Sequence, residues 1–199
     1  GCSGTGSSSV ASSDVAATAD SDPSSFETIA ATFDVSALDL DYSKRDSDAS
    51  YDESSATRIT LSESSASVNG SGVAVDGSTV TISSEGTYII SGELSSGQIV
   101  VDASDDAKVQ LVLAGATVRN ENGPAIYAKN ADKCFVTLAD GTQNSLSDGT
   151  DYTLEDDSDE PYATLFCRCD LTINGTGTLS VTANYRHGIC SKDDLVVTG

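Results

Sequence analysis

The sequence predicts an all-β fold wound from short repeated strands, and three observations carry that expectation. Leu, Val, Ile, Thr and Ser carry the pattern while aromatic residues make up only 6% of the 199 residues, a composition that suits pleated, half-buried strands rather than a helical bundle. From Arg58 onward the chain breaks into short alternating runs separated by Gly, Asn and Asp turns. Those runs then recur: 111–113 followed by Gly115, 136–138 by Gly141, 171–173 by Gly175 and 195–197 by Gly199, at steps of 25, 35 and 24 residues. The long step reads as one repeat carrying an insertion of about ten residues.

Each segment follows in order. Residues 1–25 are Ser, Ala, Gly, Thr and Asp with almost no large apolar side chain, so ordering them would cost chain entropy with nothing buried in return. Residues 1–37 are therefore read as a low-complexity tether. Its opening Gly1-Cys2-Ser3 resembles the cleavage point of a bacterial lipoprotein signal, which makes Cys2 the expected lipid anchor and implies export. The spacing of Phe26, Ile29, Ala30 and Phe33 predicts a short amphipathic helix, and the polar stretch 44–53 reads as a lead-in loop. Residues 38–199 form the repeating domain, with strands from about Thr57 at 59–61, 73–75, 80–82, 88–90, 99–101, 109–113, 125–128, 135–138, 165–167, 171–173, 179–181, 189–191 and 195–197. Period-2 alternation turns Leu111, Leu113, Val136, Leu138, Leu171, Ile173, Leu195 and Val197 inward.

A second register supports the first. The stretches from Pro124, Thr164 and Gly188 superpose as apolar, variable, small, basic, polar and acidic, ending at Asp132, Asp170 and Asp194. A coil of about 24 residues that turns three short strands and returns to the same position is the unit of a parallel β-helix, in which coils bury their apolar side chains only by stacking. An immunoglobulin-like sandwich would show no such repeat.

Charge narrows the partners. Ten Lys and Arg against 31 Asp and Glu leave a net charge of −21, which excludes the clustered cations that a nucleic-acid backbone requires and sets the protein against anionic membrane surfaces. No apolar run approaches the roughly 20 residues of a membrane span, so membrane association is expected only through the N-terminal lipid.

The stretches 80–88, 91–102, 111–118, 123–127 and 187–195 together resemble the bacterial carbohydrate-binding proteins of the parallel β-helix type that were long catalogued as a domain of unknown function. The resemblance runs from about Leu38 to Gly199, in order. It implies a right-handed β-helix shaped like pectate-lyase-type enzymes, exported and surface-attached, with bound calcium and affinity for plant-type polysaccharide. Members of that family are usually longer, so a chain stopping at Gly199 as a coil opens is expected to be truncated.

Four groups of residues stand out. The insertion holds Asp148, Asp151, Glu155, Asp156, Asp157, Asp159 and Glu160, seven carboxylates in 13 residues without a Lys or Arg; calcium, which takes six to eight oxygen ligands, would relieve their repulsion. The first six of these are the expected metal ligands, with a solvated acidic loop as the alternative. Lys129, Arg168 and Lys192 fall at one register of successive coils, stacking about 5 Å apart. They are either a contact for uronate carboxylates or partners of Asp132, Asp170 and Asp194 at the turns. Tyr127 and Phe166 share an outward register, either as an exposed platform for the apolar face of a sugar, reinforced by Tyr162 and Tyr185, or as a stack covered by the insertion. His187, the single His, reads as a turn residue, and no catalytic residue is assigned. Among the cysteines, both a disulfide from Cys167 or Cys169 to Cys190 and buried free thiols suit the stacked positions.

Three function classes follow: a non-catalytic, calcium-dependent, cell-surface polysaccharide-binding protein, which is preferred; a calcium-dependent polysaccharide lyase; and a structural surface or filament protein whose coil ends associate end to end. Each lyase candidate base has an Asp two or three positions on that would hold it protonated. The glycan stays open between neutral cellulose and a pectin-like acidic polymer.

Overall fold

The computed structural model describes residues 43–199, all of them strand, turn or irregular backbone with no helix. The tether 1–37, the helix expected over 26–33 and Cys2 lie outside the described residues. The first strands are β1 (Thr57–Glu63), β2 (Ser65–Asn69), β3 (Val73–Asp76), β4 (Thr79–Ile82), β5 (Gly86–Leu94), β6 (Gln98–Asp102) and β7 (Lys108–Asn120). They are followed by β8 (Ile126–Asn130), β9 (Lys133–Leu138), β10 (Gln143–Asp148), β11 (Ala163–Cys167), β12 (Asp170–Gly175), β13 (Thr178–Thr182), β14 (His187–Ser191) and β15 (Leu195–Val197).

The pairing explains the repeat. Strands β15, β12, β9, β7, β5, β1 and β2 lie side by side in one sheet, and β14, β11, β8, β6, β4 and β3 in a second. The chain therefore alternates between sheets and adds each new strand to the one laid down a repeat earlier. Every pairing from β5 onward is parallel; antiparallel pairing is confined to β1 with β2 and β3 with β4. A further row forms where the C-terminal half of β7 pairs with β10, and β10 with β13.

Register corrects the spacing read from the sequence. Tyr88 stands beside Leu111, Leu111 beside Val136, Val136 beside Ile173 and Ile173 beside Val197, so the repeat carrying the insertion is 37 residues long and Val136 pairs with Ile173 rather than Leu171. The slip is two residues, one full pleat, which leaves every side chain on the face expected of it. Leu111, Leu113, Val136, Leu138, Leu171 and Ile173 are accordingly buried. Leu195 and Val197 occupy the same inward register but are 47% and 67% exposed, because β15 is the last strand of its sheet and no further strand stacks on it. Strands β2 and β10 escape the sequence pattern: β2 is SASVN and β10 is QNSLSD, and too few apolar residues mark their alternation.

Polar residues do two jobs in this frame. On the outer face of the first sheet Thr87, Gln110, Thr137 and Asn174 form a continuous hydrogen-bonded row, at 3.1, 3.0 and 2.7 Å from link to link. The segment 43–50 straps that face: Asn174 and Thr198 donate to the Asp46 carbonyl at 3.1 and 3.0 Å, and Gln110 donates to that of Ser50 at 3.3 Å. What reads as a lead-in loop is thus a cover. Inside, Asn144 accepts from the amides of Gly115 and Ala116, both at 2.9 Å, and so closes the turn within β7.

Gly175 ends β12 at φ +92°, and a Cβ there would lie 2.3 Å from the carbonyl oxygen of Leu138 on the preceding coil. Gly141 has φ +69° with open space around it. Gly175→Ala is expected to cost about 3 kcal/mol, combining strain and clash, and Gly141→Ala only about 1 kcal/mol. Paired thermal unfolding checks this, and equal losses would show that backbone strain alone matters.

Candidate functional site: the ladder, the insertion and the flanking clefts

Strand alternation places the site. On the second sheet Ile126, Leu165 and Ile189 align across β8, β11 and β14 toward the core, while the next residues, Tyr127, Phe166 and Cys190, align facing outward. Just beyond, the amide of Arg168 bonds to the carbonyl of Ala128 at 3.0 Å and that of Lys192 to the carbonyl of Cys167 at 2.9 Å. These bonds hold Lys129, Arg168 and Lys192 in one row, as the repeat requires.

The insertion between β10 and β11 folds across that row. Its ends are drawn together by the Glu155 amide donating to the Glu160 carbonyl at 3.0 Å. Glu155 accepts from Arg168 Nη2 at 2.6 Å and from the Tyr127 hydroxyl at 2.8 Å, with Lys129 Nζ at 4.0 Å. Glu160, only 13% exposed, accepts from Arg168 Nε at 3.1 Å and from Lys192 Nζ. The bonds from Arg168 and Tyr127 hold the Glu155 carboxyl below its ordinary range. Glu160 raises the Lys192 ammonium. Burial works to lower the Arg168 guanidinium, and the bond from Glu155 outweighs it to give a net rise. The ladder cations are thus charged and paired, with the insertion rather than with the turn aspartates. Asp132 takes Lys108 instead, at 2.8 Å, and Asp170 accepts from the Asp194 amide at 3.2 Å.

The aromatic pair is covered. Phe166 is fully buried and Tyr127 is 3% exposed, because Tyr162, at the end of the insertion, packs edge-on to Phe166 with ring centres 4.8 Å apart, and Tyr127 does so from the other side at 5.7 Å. The expected sugar platform is therefore an apolar seat for the insertion. Tyr185 stacks on Tyr152, at 4.3 Å between ring centres, away from that pair. His187 sits edge-on to Tyr162 at 5.6 Å. Cys134, Cys167 and Cys169 are buried free thiols, and the sulfurs of Cys167 and Cys169 lie 3.2 Å apart. The disulfide expected from Cys167 or Cys169 to Cys190 is not formed.

The six expected metal ligands do not converge. Asp148 is the last residue of β10, buried, and its carboxylate accepts from the Tyr152 hydroxyl at 2.5 Å and the Asn184 amide at 2.6 Å. Glu155 belongs to the ladder, and Asp159 faces Arg186 at 3.8 Å. Asp151, Asp156 and Asp157 are exposed. Among the described residues no three His, Cys, Asp or Glu side chains are grouped to hold a metal ion. The donor set does not fit calcium here, because the cations of the neighbouring coils have already neutralised the carboxylates that sequence shows as unpaired.

Two cavities flank the insertion. One, of about 450 Å³, opens beside Glu160, Tyr162, Arg186, His187 and Lys192. The other, of about 410 Å³, lies on the Lys129 and Glu155 side and is walled by Gln98, Asn120 and Asn122. Sequence reasoning passed over these three amides, which sit at turns of different coils; the Asn-x-Asn before Gly123-Pro124 was their one local signal.

The comparisons with known proteins agree with this architecture. A protein of Acetivibrio thermocellus described as a carbohydrate-binding domain-containing protein is 40% identical over 119 residues, 59% of this chain and 42% of the relative. The solved structure of a polysaccharide lyase-like protein from C. thermocellum superposes with a TM-score of 0.70 at 36% identity, covering 72% of this chain and 58% of that one. This chain thus spans less than half of the curated relative's length. The family profile described as carbohydrate-binding domain-containing protein matches residues 76–199, more than half of the sequence, and the chain belongs to that family.

Proposed function

We propose that this chain is a right-handed parallel β-helix that holds polysaccharide without cleaving it, exported and attached to the bacterial cell surface through a lipid on Cys2. Family membership supports the binding of a polysaccharide. The observation that favours holding over cleaving is the pairing of the ladder: Arg168 and Lys192 are bonded to Glu155 and Glu160. A cation kept charged by a carboxylate is a poor proton acceptor. Weak contacts repeated on stacked coils, by contrast, add along a polymer through multivalency.

A second reading, a lyase, is favoured by one observation, the cavity where Lys192, Arg186, His187 and Tyr162 meet. Pull-down on insoluble cellulose and affinity electrophoresis in polygalacturonate, run beside an assay for unsaturated product, separate the two. Retention on a glycan with no product is expected. Product release abolished by Lys192→Ala would establish the lyase. The same assays with calcium and with a chelator test the calcium dependence that the family resemblance implies. No dependence is expected at the insertion, whose Glu155 and Glu160 already have cationic partners.

A further inference from the structure

We infer that the 410 Å³ cleft on the Lys129 side of the insertion is a subsite for an uncharged, hydroxyl-bearing sugar unit, an inference that rests on the polysaccharide-binding reading. Its volume is that of a small-molecule site. Gln98 Nε2 and Asn120 Nδ2 both donate to the Pro124 carbonyl, each at 2.9 Å, and Asn120 Oδ1 accepts from the Asn122 amide at 3.1 Å. Two amides from different coils are thereby held in fixed orientations, and each keeps a second N–H. Asn122 stands exposed at the rim, beside the insertion, whose Thr153 amide donates to the Asn122 carbonyl at 2.9 Å.

Side-chain amides both donate and accept, as sugar hydroxyls do. The charges at the cleft, Lys129 and Glu155, are opposite and 4.0 Å apart, so the cleft offers no net positive field to a uronate. The chain's net charge of −21 repels one further. Gly123 is buried beneath the amides, and a Cβ there would press on Asn120 Nδ2 at 3.3 Å and Gln98 Nε2 at 3.5 Å; glycine leaves both amides seated.

The test uses isothermal titration of the chain with cellohexaose, xylohexaose and mannohexaose, and with hexagalacturonate. At least one neutral hexaose is expected to bind more tightly than hexagalacturonate. Asn122→Trp, which fills the rim without touching the bonds to Pro124, is expected to weaken that binding at least tenfold, and Asn122→Ala to weaken it less. Arg58→Ala, on the distant β1, should leave it unchanged. Thermal unfolding of each variant confirms that the fold is intact. Neutral binding unaffected by Asn122→Trp, or preference for hexagalacturonate, would overturn the cleft assignment and leave the polysaccharide reading standing. No binding of any hexaose, together with no retention on cellulose or polygalacturonate, would overturn both.

Discussion

Replacing Phe166 with Ala is expected to destabilise the domain by about 4 kcal/mol, the range for removing a buried aromatic ring. Phe166 is fully buried and is packed edge-on by Tyr127 and Tyr162. Little of the cavity can collapse, because β11 is held between β8 and β14 on both sides. The loss should be more than global. Phe166 seats the insertion that places Glu155 and Glu160 on the ladder, so cleavage by protease within 149–162 should accelerate under native conditions. Phe166→Leu, which keeps most of the apolar volume, should cost nearer 1.5 kcal/mol. Denaturant unfolding and limited proteolysis together check the result. A variant that loses stability without faster cleavage would show that the ion pairs alone hold the insertion down.

Asp46→Asn is expected to be the other severe substitution, at about 3 kcal/mol, because it leaves a largely buried Lys133 without its carboxylate. Asp46 is 1% exposed and accepts from Lys133 Nζ at 2.5 Å, from Thr172 at 2.5 Å and from the Ser43 amide at 2.7 Å. Burial by itself would raise its pKa, but the bonds from Lys133, Thr172 and Ser43 outweigh burial and hold it at about 2, against an ordinary 3.8. A carboxylate whose folded pKa is depressed stabilises the fold above its unfolded value and loses that contribution as pH falls through the folded one. The melting temperatures of wild type and Asp46→Asn should therefore differ most above about pH 4 and converge as pH falls through about 2. A gap that stays constant from pH 6 to pH 2 would show that the strap is held by its backbone carbonyls rather than by this carboxylate.

The sequence by itself determined the repeat and the faces. Apolar runs ending in glycine, as at Leu111 to Gly115 and Val136 to Gly141, marked strands and corners. Because side chains alternate with period 2, even the two-residue misalignment at the insertion left the inward set unchanged. The row of Lys129, Arg168 and Lys192 was legible for the same reason, since residues one coil apart must stack. Only the tertiary structure decided what faces that row. Composition showed seven carboxylates without a cation because it reads neighbours along the chain, whereas Arg168 and Lys192 reach Glu155 and Glu160 from other parts of the coil stack. Burial of Tyr127 and Phe166 was undetermined in sequence because an outward position on a strand is exposed or covered according to where a distant loop lands. The strap at Asp46 was hidden in the same way, as a short polar segment whose partners Lys133, Thr172 and Asn174 lie 87 to 128 residues further along. Periodicity fixes where a side chain points, and only the folded chain supplies what it meets there.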